Sequence, residues 1–152
     1  MADPILLRPL APADREELLD MMGVFYASPA VITPVTDEIL RQDIEDCLGE
    51  CPFVEGWVFD AGTSLAGYAM LAKSYSTERG GLCLWVEDLY LREEYRHQGL
   101  GKRFFALLEE RYASSFRRFR LEAEEENLPA VAAYRRAGFH ALPYLQMVRE
   151  LE

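Results

Sequence analysis

Apolar and polar positions follow two different periods along this chain, and each change of period marks a predicted element. Ile5 to Pro9 is a short apolar run typical of a strand. Pro12 to Phe25 carries apolar residues at helical spacing, so it predicts an amphipathic helix that Ser28-Pro29 brings to an end. Thr36 is a preferred N-cap, and a second helix is predicted from it to about Leu48.

Strand patterns dominate the middle of the chain, and helices return after them. The predicted strands are Phe53 to Phe59, Leu65 to Ser74, Leu82 to Leu91 and Phe119 to Ala123. An apolar stripe predicts a helix from Gly99 to about Ser114. Another helix is predicted from Asn127 through Ala137, with Gly138 at its C-terminal end. Phe139 to Leu151 should then return to strand.

The predicted order of elements is βααβββαβαβ, with the last strand single or split in two. Strands alternate with helices in the second half, which predicts a partly parallel sheet covered by helices. The three middle strands predict an antiparallel meander. We therefore expect an α/β (α+β) fold with a mixed sheet of six to seven strands and about four helices. A length of 152 residues suits one compact domain spanning residues 1–152.

Composition and charge narrow the classes of function. Half of the residues are apolar and 28% are charged, which is an ordinary globular balance. The formal charge of −10 argues against sequence-independent binding of nucleic acid, because phosphates require a basic face. The same charge suits a cationic substrate, although from net charge alone the favoured explanation is that it keeps the protein in solution.

The remaining global features predict a cytoplasmic protein without a metal. No apolar run approaches the roughly 20 residues that span a bilayer, and the N-terminus does not resemble a signal peptide. The chain has an odd number of cysteines: Cys47, Cys51 and Cys83. With only two histidines, both distant in sequence, these cysteines form no zinc pattern. They are expected to be free thiols in a reducing compartment.

The strand ending at Leu91 leads into a turn with two glycines, Gly99 and Gly101, which opens a helix. Such a turn leaves backbone N–H groups unpaired at the positive end of the helix dipole, where a pyrophosphate can bind. Arg96, Lys102 and Arg103 add positive charge. The alternative is a tight strand-to-helix turn without a ligand.

Two familiar phosphate motifs do not fit this turn. A dinucleotide-binding motif would require a small residue at Phe104. A P-loop would require serine or threonine at Arg103.

The pattern Arg96-x-x-Gly99-x-Gly101 resembles the Gln/Arg-x-x-Gly-x-Gly/Ala signature of the GNAT superfamily of N-acetyltransferases. A second stretch is similar to that family's Asn-x-x-Ala-x-x-x-Tyr-x-x-x-Gly-Phe segment. Its matching residues are Asn127, Ala130, Tyr134, Gly138 and Phe139. The resemblance covers roughly Leu82 to Phe139. It departs from the pattern at His97, where many members carry glycine.

The resemblance implies acetyl-coenzyme A as co-substrate, with its pyrophosphate on the turn. The residues implied to hold the pyrophosphate are Arg96, His97, Gln98, Gly99, Leu100, Gly101 and Lys102. The backbone of Leu89, Tyr90 and Leu91 would hold the acetyl carbonyl. Asn127 would bind the cofactor arm, and Tyr134 would protonate the departing thiolate. Taken without the resemblance, a residue like Asn127 is more often simply a helix N-cap, and one like Tyr134 is more often a packed aromatic residue.

The candidate for the carboxylate that faces the amine is Glu87, on an otherwise apolar strand. Strand alternation allows only one of Glu87 and Asp88 to reach the cleft, so Asp88 is the second choice. The alternative for Glu87 is an ion pair with a basic side chain. The segment from Val86 to Leu91 resembles the polyamine and thialysine acetyltransferase branch, where this glutamate faces the substrate.

The acceptor site of such proteins is built mainly by the first two helices. Here those helices offer Phe25, Tyr26, Asp37, Glu38, Asp43, Glu45 and Asp46. Carboxylates and aromatic rings suit a cationic amine, although helix charges also commonly form a solvated face.

The expected activity is direct acetyl transfer, in a ternary complex, to a primary amine of a small molecule such as a polyamine, amino acid or aminoglycoside. Family habit implies a homodimer. The alternatives are a non-catalytic acyl-CoA-binding sensor and an interaction module.

Overall fold

The computed structural model describes residues 4–151. Its strands are β1 (Leu6–Pro9), β2 (Val54–Asp60), β3 (Leu65–Ser76), β4 (Gly81–Leu91) and β5 (Phe116–Leu121). Its helices are α1 (Arg15–Tyr26), α2 (Asp37–Leu48), α3 (Leu100–Tyr112) and α4 (Leu128–Arg136). The strands form one sheet in the order β1-β2-β3-β4-β5. The first four strands are antiparallel and β5 runs parallel to β4, which confirms the predicted mixed sheet.

Local signals place most helix ends where the sequence predicts them. Thr36 is the N-cap of α2, and its hydroxyl accepts a hydrogen bond from the backbone N–H of Ile39 at 3.3 Å. Gly138 follows α4 with a φ of 98°, a left-handed conformation that favours glycine. The first predicted helix is divided, because a 3-10 turn at Pro12–Asp14 precedes α1.

The two faces of the sheet carry separate apolar cores. On one face, Phe59 of β2 packs in a cluster with Phe104 and Leu108 of α3. On the other face, the adjacent Val58 packs in a cluster with residues of α1 and α2, among them Met22. Neighbouring residues of a strand point to opposite faces, so a central strand covered on both sides becomes apolar throughout. No helix among residues 4–151 is both long and apolar enough to cross a membrane.

The fifth strand begins three residues earlier than the sequence predicts. Its arginines hide the strand pattern, but Phe116 is buried and packs edge-on against Tyr112 at a ring distance of 5.3 Å. Arg118 also bonds Glu78 at 2.9 Å. Tertiary contacts thus hold Phe116–Leu121 in the sheet, whereas the predicted Phe119 to Ala123 runs past its end.

The predicted strand over Phe139 to Leu151 is wrong for the described residues. Within 4–151 the sheet has five strands instead of six or seven, and the chain after α4 is extended and mostly exposed. A strand needs a neighbour to bond its backbone groups, and nothing in the structure pairs with this segment. Its apolar pattern therefore indicated a strand without indicating what it would pair with.

Candidate active site

The site begins where two neighbouring parallel strands separate. Pairing between β4 and β5 ends at Val86 opposite Leu121, whereas β4 stays paired with β3 as far as Leu91. From Glu87 to Leu91, the β5-facing edge of β4 therefore has no strand partner among the described residues. The backbone of Leu89, Tyr90 and Leu91, which the resemblance implies would hold the acetyl carbonyl, lies along this opening.

A β-bulge stands at the start of the opening. Met70 of β3 pairs with Asp88 and the next residue, Leu71, pairs with Val86, so Glu87 is the extra residue on β4. A bulge bends its strand and redirects side chains, and bulges are common beside active sites. Simple alternation therefore does not apply at Glu87 and Asp88, and the expectation that only one of them faces the site loses its basis.

The N-terminus of α3 forms a cradle of unpaired backbone donors. The backbone N–H of Arg103 bonds the carbonyl of Gly99 at 3.0 Å, so the N–H groups of Leu100, Gly101 and Lys102 precede the helix's first internal bond. Gly99 has a φ of 79°, and a Cβ added at Gly99 or Gly101 would meet no atom within 4 Å. The space over this turn is open to an anion.

His97 takes a left-handed conformation, with a φ of 63°. This is the position at which the resembling family often has glycine. Histidine is among the residues that tolerate this conformation better than β-branched residues do. The departure from the family pattern therefore leaves the shape of the turn intact, at some cost in conformational energy.

One cavity of about 1880 Å³ brings most of the candidate cofactor residues together. It is lined by Leu89, Tyr90, Leu91, Arg96, His97, Gly99, Leu100, Gly101, Lys102, Asn127 and Tyr134. Gln98 is not among the lining residues, and its Nε2 donates to the carbonyl of Glu94 at 3.1 Å. The two halves of the sequence motif, distant along the chain, thus face one space.

The basic side chains near the turn have different positions. Arg96 lines the cavity, with its Nε held on the carbonyl of Leu91 at 2.9 Å and its guanidinium over the Tyr90 ring. Lys102 lines the same cavity. Arg103 instead donates to the carbonyl of Ile5 at 2.7 Å. Of the three basic side chains near the turn, Arg96 and Lys102 therefore line the cavity.

Asn127 and Tyr134 line the cavity from α4. Asn127 precedes the helix without a capping bond from its side chain, so the capping alternative does not describe its amide. The Tyr134 ring packs perpendicular to Phe105 at 6.0 Å, and its hydroxyl has no partner among the described residues. Burial raises the pKa of Tyr134 above its usual value. The phenol therefore keeps its proton at neutral pH and can donate it.

Glu87 lies in an acidic surrounding. It forms no ion pair with a described residue, so the expected alternative of a structural salt bridge finds no support. Although Glu87 is exposed, protein atoms crowd its carboxyl group, and this desolvation raises its pKa, with the negative charges of Glu122 and Asp43 adding to the effect. Glu87 lies outside the cavity lined by Tyr134.

Asp88 is the buried carboxylate of the region, at 2% exposure. Its Oδ1 accepts a hydrogen bond from the Tyr26 hydroxyl at 2.7 Å, and its Oδ2 accepts one from the Tyr68 hydroxyl at 2.9 Å. Burial raises the pKa of Asp88 to about 6, although the two tyrosines act to lower it. Sequence reasoning missed this three-residue network, because Tyr26, Tyr68 and Asp88 lie on separate elements.

An aromatic cluster links this network to the cavity. Phe25 packs on Tyr26 at 5.2 Å, on Tyr68 at 6.2 Å and on Tyr90 at 6.3 Å. Phe25 and Tyr90 also line the cavity. Asp88, which is bonded to Tyr26 at the end of α1, and the N-terminus of α3 therefore lie on either side of these rings.

The acidic residues of the first two helices divide into paired and available groups. Glu45 is held by Arg15 at 2.6 Å, and Asp46 accepts a hydrogen bond from Gln42 at 3.0 Å. Asp43 is half-buried, and desolvation followed by the charge of Asp46 raises its pKa. Its negative charge also acts on Tyr26, Glu87 and Asp88. Asp43 is thus the α2 carboxylate whose charge acts on the residues around Asp88.

Comparison with known proteins agrees with this geometry. The model of the Acetyltransferase (GNAT) family matches residues 17–139. The chain belongs to the GNAT family. Over 145 residues this GNAT protein is 28% identical to thialysine N-epsilon-acetyltransferase of Sus scrofa. The aligned region covers 88% of this chain and 83% of that relative. It is an N-acetyltransferase by family, and its relatives match the thialysine branch that the segment around Glu87 resembles.

Solved structures show the same fold. AAC(6')-Iy in complex with the bisubstrate analog CoA-S-monomethyl-acetylneamine superposes with a TM-score of 0.81 at 14% identity, over 98% of this chain and 99% of that one. The integron cassette protein HFX_CASS3 from the mobile metagenome of Cole Harbour Salt Marsh gives 0.79 at 23% identity, over 96% and 90%. At these identities the likeness establishes the GNAT fold and nothing finer.

Proposed function

We propose that this GNAT protein transfers an acetyl group directly from acetyl-CoA to a primary amine of a small molecule while both are bound. The observation that carries the proposal is the opening between β4 and β5. The anion cradle and Tyr134 line the cavity at this opening, and Glu87 and Asp88 lie on β4 where the opening begins, outside the cavity lining. A cavity with anion-binding groups and a pair of carboxylates thus adjoin the same opening in the sheet.

The described residues fit coenzyme A. The free N–H groups of Leu100, Gly101 and Lys102, with the charges of Arg96 and Lys102, suit a pyrophosphate. His97 and Gln98 shape the turn. The side-chain amide of Asn127 makes no capping hydrogen bond, so it is available to the cofactor arm. Bound acetyl-CoA would supply the acetyl group as a thioester. The unpaired edge of Leu89, Tyr90 and Leu91 offers backbone donors to a carbonyl oxygen.

The acidic side supports an amine as the second substrate. Glu87, Asp88 and Asp43 act on one another electrostatically, and within residues 4–151 none of them forms an ion pair with a basic side chain. Like charges brought together without counter-ions are unfavourable, and an ammonium group would relieve the repulsion. Glu87 would hold the ammonium group and accept its proton through water.

Proton delivery completes the proposed reaction. Tyr134 lines the cavity, its hydroxyl has no hydrogen-bond partner within residues 4–151, and it retains its proton, so it is the proposed donor to the departing thiolate. No covalent bond to the enzyme would be required, because the amine would attack the thioester directly while both substrates are bound.

The acceptor class follows from charge and from the relatives. Small cationic amines such as polyamines, lysine-like amino acids and aminoglycosides fit a site with several carboxylates. The curated relative's name specifies thialysine, and the bound analog of one structural neighbour is an acetylneamine. We further propose that residues 1–152 form one domain acting in the cytoplasm as a homodimer, with neither nucleic acid nor membrane as partner. The free thiols of Cys47, Cys51 and Cys83 support the cytoplasmic location. The formal charge of −10 supports the exclusion of nucleic acid as a partner.

Mass-detected acetyl transfer to a panel of polyamines, amino acids, aminoglycosides and short peptides tests the function. We expect an acetylated small amine and no acetylated peptide. Glu87→Gln should lower turnover ten-fold or more with little change in CoA affinity, while Glu110→Gln, at an exposed position of α3, should retain activity. CoA binding without any product would favour the sensor alternative. Absence of CoA binding would favour an interaction module.

A further inference from the structure

One part of the sheet is open on the face that α1 and α2 cover. Within residues 4–151, the apolar cluster of this face draws on α1, α2, β2 and β3, but it takes only Tyr90 from β4 and nothing from β5. Leu84 and Val86 of β4 pack on the opposite face, so Trp85 between them points to the α1 and α2 face. The side chain of Trp85 is half-buried there. The middle of β4 and the adjacent part of β5 therefore present an accessible surface.

Arg120 of β5 lies on the Trp85 ring. The two residues are partners in the parallel pairing of β4 and β5, so their side chains stand on the same face. The guanidinium carbon of Arg120 is 4.3 Å from the centre of the Trp85 ring. Within residues 4–151 Arg120 forms no ion pair. A guanidinium stacked on a ring is held in place and can still direct its N–H groups at a carboxylate.

The neighbouring arginine of this face is already neutralised. Arg118 bonds the Glu78 carboxylate at 2.9 Å, and the Tyr144 hydroxyl donates to the same carboxylate at 2.7 Å. Burial raises the pKa of the Cys83 thiol, and the positive charges of Arg120 and Arg118 act against this rise. Both guanidinium groups thus lie near β4, and Arg120 is the one of the two without a carboxylate partner.

Negative charge lies further along the same face. Glu122 follows Arg120 by two residues, and its charge acts on Glu87, as does the charge of Asp43. Two residues of extended chain span about 7 Å. A lysine-like amino acid in extended form holds its side-chain ammonium group and its carboxylate roughly 7 Å apart. The face therefore changes from negative to positive over the length of such a molecule.

We propose that Arg120, held on Trp85, binds the carboxylate of an amino-acid acceptor whose side-chain amine lies at Glu87. The inference rests on the proposed acetyl transfer and narrows its acceptor from small cationic amines to amino acids of about the length of lysine. Arginine binds a carboxylate through two parallel N–H···O bonds. A polyamine would instead bring a second ammonium group to the guanidinium and be repelled. Arg120 is then a specificity-determining residue with no part in proton transfer.

A pair of acceptors that differ only in the carboxylate tests the proposal. Thialysine and bis(2-aminoethyl) sulfide, which is thialysine without its carboxylate, form this pair. The wild-type kcat/KM should be about ten-fold or more higher for thialysine. Arg120→Gln should remove this preference, mainly by raising the KM of thialysine, and leave kcat/KM of the sulfide unchanged or higher.

The matched control removes a similar arginine from a distant place. The Arg111 guanidinium lies 5.0 Å from the centre of the Trp57 ring, and Trp57 belongs to the cluster on the opposite face of the sheet. Arg111→Gln should keep the wild-type preference. Arg120→Lys retains the charge without the planar fork and should give an intermediate preference, which supplies a second variant should Arg120→Gln not fold.

Calorimetric binding of both amines to the CoA-loaded protein separates this inference from the proposed function. Thialysine should bind Arg120→Gln about ten-fold or more weakly than it binds wild type and Arg111→Gln. Acetyl transfer with the same preference in wild type and Arg120→Gln overturns the inference and leaves the proposed function standing. An equal loss for both amines in a variant with the wild-type circular dichroism spectrum also overturns it. A wild-type protein that neither binds nor acetylates either amine overturns both.

Discussion

Replacing Asp88 with asparagine should remove a pH-dependent part of the protein's stability. Asp88 is 2% exposed, and burial raises its pKa from 3.8 to about 6. The folded state thus holds this proton more tightly than the unfolded chain. The contribution of Asp88 to stability is therefore fully present below about pH 4 and is lost as the pH rises through about 6. The difference between the two pKa values corresponds to about 3 kcal/mol of unfolding free energy.

Asparagine changes this dependence in a defined way. It cannot ionise, and its carbonyl oxygen can accept from only one side, whereas Asp88 accepts from both Tyr26 and Tyr68. Leaving one buried hydroxyl without its acceptor costs about 1–3 kcal/mol at every pH. Of the pH-dependent contribution, about 2 kcal/mol falls between pH 4.5 and pH 7.5. The deficit of Asp88→Asn should therefore be larger at pH 4.5 than at pH 7.5 by about 2 kcal/mol.

Urea unfolding of both proteins at pH 4.5 and pH 7.5 measures this difference. Carboxylates whose pKa is lowered by basic partners, such as Asp14 beside Arg8, destabilise both proteins on acidification and cancel in the comparison. Asp20→Asn, on the exposed side of α1, controls for removal of one carboxylate. Equal pH dependence of wild type and Asp88→Asn would refute the reasoning, because it would mean that Asp88 does not hold its proton in the folded state.

The remaining predictions concern the cofactor side. Tyr134→Phe should lower turnover at least ten-fold, with CoA affinity by calorimetry little changed; equal rates would assign the proton to another donor. Because His97 has a φ of 63°, His97→Gly should raise the unfolding free energy measured in urea by about 1 kcal/mol, and His97→Val should lower it. The opposite order of stabilities would contradict the left-handed conformation of residue 97. Gly101→Leu should weaken CoA binding ten-fold or more without unfolding, since its Cβ meets no protein atom; unchanged affinity would place the pyrophosphate elsewhere.

Much of the fold was predictable because its signals are local. The capping of α2 by Thr36, the glycine after α4 and the apolar run of β4 each depend on residues close in sequence. The cradle at α3 was predictable for the same reason, since a helix N-terminus and its glycines lie within a few residues. The early start of β5 was not, because Phe116 is held by Tyr112 of α3 and Arg118 by Glu78 of the turn between β3 and β4.

Features that join distant segments required the tertiary structure. The bulge that makes Glu87 an extra residue arises from the register between β3 and β4, which neither strand specifies alone. The bonds from Tyr26 and Tyr68 to Asp88 link residues 62 and 20 positions apart.

The sequence by itself determined the order of elements as far as α4, the glycine-containing turn before α3 and the apolar character of the last segment, because periodicity, capping and glycine placement act between neighbours. Only the tertiary structure decided which carboxylate is buried, where β4 and β5 separate and which backbone edges stay unpaired. Those properties depend on packing and strand register between segments far apart in the chain.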